Sequence, residues 1–102
     1  MSTLSIPLLH LNGSGIEHLR EQYAVAADAI RQAQEMVGRA APHMRDFYPY
    51  ADGQERFDQA MREHNARFMV LVNLLDEYKQ LYRGLLKQKT GEDPYVVELS
   101  NL

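Results

Sequence analysis

The sequence predicts an all-α fold: a two-helix antiparallel hairpin with a long second helix, assembling into a homo-oligomeric helical bundle, with short extended arms at both termini. Three observations predict it. Apolar residues recur at helical spacing over residues 16–40 and again over 57–86, and a proline-broken, aromatic-rich stretch separates the two runs. The second run is also longer and more broadly apolar than one partner helix can cover. At 102 residues the chain fits a single domain. It divides into an arm (1–13), a first helix (14–40), an aromatic loop (41–52), a second helix (53–90) and a tail (91–102).

The arm is apolar, holds Pro7 and lacks helical periodicity, so it reads as extended. Asn12-Gly13-Ser14-Gly15 is a turn. Ser14 with Glu17 three positions on has the spacing of a capping box, which starts the first helix. Ile16, Tyr23, Ile30 and Val37 form one seam row of that helix; Leu19, Ala26, Ala33 and Ala40 form the other. The small row allows a neighbouring helix to approach closely. Gly38 and Pro42 bracket the end.

Asp52 and Glu55 repeat the capping spacing at the start of the second helix, and Gly91 and Pro94 end it. One row holds Phe57, His64, Leu71, Tyr78 and Leu85; a second holds Met61, Phe68, Leu75 and Tyr82; Ala60, Leu74 and Leu81 widen the stripe. At 1.5 Å per residue the first helix spans roughly 35–40 Å and the second roughly 55 Å. Folded back end to end, residue 16 is expected near residue 76. Tyr78, Leu81, Tyr82, Leu85 and Leu86 then project uncovered, each forgoing about 1.5–3 kcal/mol of burial, and a second copy is the expected cover. The tail, rich in β-branched and aromatic residues around Tyr95-Val96-Val97, is expected either to pair with the arm as a strand or to dock without one.

Composition narrows the chemistry. The chain has no cysteine, which excludes disulfides and thiol catalysis and fits a reducing compartment. Its net charge of −3 argues against bulk nucleic-acid binding. No apolar run reaches the roughly 20 residues of a membrane span, and the amino end lacks a signal-peptide pattern, so an intracellular domain is expected. No catalytic set, metal set or cofactor motif is found. Glu17-His18 and Glu63-His64 are adjacent pairs that point to different helix faces, unlike the Glu-x-x-His of a diiron bundle. Neither a phosphate loop ending in Gly-Lys-Ser/Thr nor a Gly-x-Ser-x-Gly turn occurs. A non-enzyme is expected.

Two candidate binding features remain. The turn Asn12, Gly13, Ser14 lies at a helix start, where unpaired N–H groups favour an anion; the plain alternative is a capped turn. The expected register sets Tyr78, Lys79, Tyr82 and Arg83 opposite it. Residues 79–89 carry four cations and no acid, and the dipole of a helix end accounts for Lys87 and Lys89 better than for Lys79. Rings, cations and N–H groups together suit a nucleotide-sized anion. Arg45, Tyr48 and Tyr50 of the loop either plug the open end of the hairpin or join such a site from a second copy. His64, on the inner row, is either a satisfied core histidine or part of a polar layer that sets register or touches a ligand.

The strings His10-Leu11-Asn12-Gly13-Ser14, Arg45-Asp46-Phe47-Tyr48-Pro49 and Glu63-His64-x-x-Arg67 resemble, in order and spacing, a group of small phage and prophage proteins of similar length. The likeness covers residues 10–70. The chain departs from the pattern at Phe47, where Tyr is usual, and in its longer carboxyl end. The resemblance implies a viral origin and action in the cytoplasm of a bacterial host. By analogy with small phage proteins that blunt host immunity, the leading expectation is an anti-defence sponge that holds a cyclic or ADP-ribose-type nucleotide, unchanged, between protomers. The competing expectation is a protein–protein interaction module, either an inhibitor of a host protein or a virion accessory, that uses the distal part of helix two.

Overall fold

A computed structural model describes residues 4–10, 13 and 15–90, apart from the side chains of Lys89 and Thr90. Its elements are α1 (Ile16–Arg39), one 3-10 turn (Met44–Asp46) and α2 (Gly53–Thr90). Among the described residues there is no strand, and no helix is long and apolar enough to cross a membrane. The hairpin is therefore as expected. The expected end of α2 at Gly91 and the strand in the tail lie outside the described residues.

Helix ends differ from the expected caps. Gly15, extended at φ −68° and ψ 156°, is the N-cap of α1 and has no side chain to accept a hydrogen bond. Its carbonyl closes the first turn by accepting from Leu19 N at 3.1 Å. Ser14 lies outside the described residues. At the far end Ala40 N donates to Val37 O and Ala41 N to Gly38 O, a tightened last turn, and Pro42 follows. At α2 the Asp52 carbonyl accepts from Arg56 N, while its carboxylate accepts from Arg56 Nε at 2.7 Å. The side chain of Asp52 is thus paired four residues on.

The core is thin. Ala27, Ile30 and Leu75 are buried, with Leu71 and Tyr78 packed against them, and Tyr23 meets Tyr78 edge to face at 5.9 Å. The structure measures 72 × 25 × 18 Å with a radius of gyration of 20.7 Å, against about 13 Å for a compact chain of about 100 residues.

The register corrects the end-to-end expectation. Arg20 pairs with Tyr82 and Tyr23 with Tyr78, which carries residue 16 to the level of Leu86 rather than residue 76. The reason lies in the connection. Residues 40–52 do not bridge two helix ends; they fold back along the first turns of α2, where Phe47 packs edge to face on Phe57 at 6.0 Å. Those first turns therefore run past the end of α1.

The uncovered distal helix is corrected as well. Residues 4–10 return along α2 as a strap without regular structure. Gln88 is the clasp: its Oε1 accepts from Leu9 N at 2.9 Å and its Nε2 donates to Pro7 O at 2.6 Å. Ile6 lies against Gly84, where an added Cβ would fall 2.8–3.0 Å from its side chain. Leu85 is fully buried at 0% exposure, and Tyr78, Leu81, Tyr82 and Leu86 are all at least partly covered. The most complete burial in the structure is at this end, not between the helix midpoints.

Candidate functional site

The helical pitch sorts side chains into two flanks. On α1 the residue following a core position turns to one side (Asp28 after Ala27, Arg31 after Ile30); on α2 Lys79 follows Tyr78 and Arg83 follows Tyr82. In an antiparallel pair these positions converge. They do so here, in a cavity of about 370 Å³ lined by Ala24, Ala27, Asp28, Arg31, Tyr78, Lys79, Tyr82 and Arg83. Four residues expected from sequence, Tyr78, Lys79, Tyr82 and Arg83, thus share one site.

Three cations stand around this cavity against one carboxylate. Arg31 Nη1 lies 2.9 Å from Asp28 Oδ1, so that charge is matched, while Lys79 and Arg83 are exposed and have no ion-pair partner among the described residues. The rings are held from behind. Tyr78 is braced by Tyr23. The Tyr82 hydroxyl accepts from Arg20 Nε at 3.2 Å and Nη2 at 3.0 Å, and the Arg20 guanidinium sits 5.6 Å from the ring centre. These bonds to Tyr82, with help from Glu17, hold the Arg20 pKa above its ordinary value. Arg20 also forms an ion pair with Glu17 at 3.3 Å, and a shallower groove beside the cavity is lined by Glu17, Arg20, Glu21, Ala24 and Tyr82.

The other expected site residues are elsewhere. Gly13 is exposed in a turn closed by its N–H to His10 O at 3.3 Å; Asn12 and Ser14 lie outside the described residues. The helix start does not line the cavity, whose α1 residues begin at Ala24, about two turns further on. His64 is buried at 8% exposure, roughly 27 Å from Tyr82 along α2. Continuing the register sets it level with Val37 and Gly38, so it belongs to the helix interface and not to the cavity.

Tyr48 and Tyr50 are exposed, and Arg45 with them, at the opposite end of the hairpin. Arg56 lies 4.1 Å over the Tyr50 ring beside a small groove that also includes Phe47, Gln59, Ala60 and Glu63. Within residues 45–50 only Phe47 is partly buried, packed on Phe57, while Tyr48 and Tyr50 stand in solvent.

Sequence reasoning missed Arg31 and Asp28. Both look like an ordinary solvated pair three residues apart, and only the true register shows that they face Lys79 and Arg83. Among the described residues no group of three or more His, Asp or Glu is placed to hold a metal ion. Set against known proteins, the chain matches no family model, no curated protein and no solved structure.

Proposed function

We propose that this chain is a non-catalytic binding protein of the phage type that counteracts host immunity by sequestering a small anionic nucleotide signal, of cyclic or ADP-ribose kind, in the flank cavity. The observation that carries the reading is the convergence of Arg31, Lys79 and Arg83 beside two braced tyrosine rings. Cations complement phosphate, and the rings offer faces for a base. The volume falls at the low end of the roughly 300–1,000 Å³ of small-molecule sites. Holding a ligand without turnover needs only such a preorganised pocket. All three cations come from one hairpin; Arg45, Tyr48 and Tyr50 can enter only from a neighbouring copy.

Calorimetric titration of the purified protein with a panel of cyclic dinucleotides and ADP-ribose derivatives tests this. One panel member is expected to bind and to be recovered chemically unchanged. Arg83→Ala and Lys79→Ala, both at exposed positions, are expected to abolish capture with helicity intact. Absence of binding across the panel, or capture that survives both substitutions, refutes the reading.

A further inference from the structure

The flank opposite the cavity holds the residues that precede each core position. On α2 these are Arg67, Val70, Leu74, Glu77, Leu81 and Gly84. The strap covers the upper part of this surface, at Gly84, and Leu81 is partly covered. One heptad down the same face the cover has ended: Leu74 is 38% and Val70 64% exposed. An apolar surface that the chain closes at one end is left open at the other. Beside it on α1, Ala26 and Ala29 precede Ala27 and Ile30, and their small side chains leave room for another helix.

The spacing of the open segment is the same in both directions. Arg67, Val70, Leu74 and Glu77 are spaced three, four and three residues apart, so a two-fold axis passing at Val72 exchanges Val70 with Leu74 and Arg67 with Glu77. Arg67 and Glu77 are both exposed, and neither has a hydrogen-bond or ion-pair partner among the described residues. We propose that this face of α2 is an isologous interface: a second copy of the chain packs antiparallel on it, Val70 against the partner's Leu74, closed at each end by an Arg67–Glu77 pair between copies. Self-complementary shape and charge are what a two-fold contact requires. The interface lies on the opposite flank from Lys79 and Arg83 and does not depend on the nucleotide reading.

Light scattering coupled to gel filtration, run on the full chain across a concentration series, tests it. The wild type is expected at twice the 11.8 kDa chain mass or more. Val70→Asp and Leu74→Asp, at positions already in contact with water, are expected to give single chains of unchanged helicity, whereas Lys79→Ala leaves the assembly intact. Charge reversal supplies the specific readout. Arg67→Glu alone weakens association by roughly fivefold or more, since two symmetric pairs become repulsive, and adding Glu77→Arg restores it. A wild type that remains a single chain, an assembly indifferent to Val70→Asp and Leu74→Asp, or a reversal that the second substitution fails to rescue overturns the proposal.

Discussion

Gln88 offers the sharpest quantitative test of the strap. Its amide is 3% exposed and meets two backbone groups roughly eighty residues away in sequence, Leu9 N–H and Pro7 C=O. Gln88→Ala removes both hydrogen bonds without adding bulk. A typical intramolecular hydrogen bond contributes about 0.5–1.5 kcal/mol net, so the pair contributes about 2 kcal/mol to strap docking. That corresponds to roughly a thirtyfold rise in the open fraction of the strap. Native-state hydrogen exchange reads this directly. The Leu9 amide is expected to exchange roughly thirtyfold faster in the variant, while amides around Leu71 and Leu75, held by helix–helix packing, keep their rates. If Leu9 exchanges at the wild-type rate, the clasp does not hold the strap. If every amide accelerates together, the strap does not open as a separate unit.

Gln88→Glu should make the same contact sensitive to pH. The ionised carboxylate still accepts from Leu9 N–H but opposes Pro7 O, so docking raises the carboxyl pKa. Docking is then full below the ordinary carboxylate range and lost as pH rises through the raised value, as the Leu9 amide shift in an NMR titration would report. Asp52 should behave in the opposite sense. The hydrogen bond from Arg56 holds its carboxyl below the usual value, so its contribution is present above the ordinary carboxylate range and lost as pH falls through the depressed value. Asp52→Asn should flatten the acid limb of Tm against pH. Two glycines should respond with opposite signs. A Cβ at Gly53 would collide with the Phe47 carbonyl, so Gly53→Ala is expected to cost about 1–3 kcal/mol. Gly38 has nothing within 4 Å, and Gly38→Ala should gain about 0.8–1 kcal/mol of helix propensity, seen as a higher Tm.

Local rules carried the hairpin far. Periodicity and the two prolines of the connection located both helices, and Gly53 was placed at the first residue of α2. The inner row was also legible, with Ile30, His64 and Leu75 all buried as spaced. What failed was the relation between elements. Helix periodicity says which face is apolar but not how far one helix slides along another, and the folded-back connection, fixed by Phe47 on Phe57, sets that slide. The same shift decided the site. Lys79 stood out as a cation too far from a helix end to be explained by its dipole, yet its partners on α1, like those of Arg83, changed with the register. The strap was least legible. Its apolar residues showed no period, and a lone Gln near the end of a helix carries no signal that its amide reads a distant backbone. Gly84 held a clue, since a glycine amid a helical stripe often marks a close approach.

The clasp also dictates an order of events during synthesis. Ile6 and Leu9 leave the ribosome roughly eighty residues ahead of Gly84 and Gln88, so the strap must wait for both helices before it finds its seat. Closing so large a ring is slow compared with zipping the two helices together. Nascent chains therefore pass through a stage in which the helices have formed and greasy surface at their far end is still bare, and a bulky fusion ahead of Leu4 would lengthen that stage.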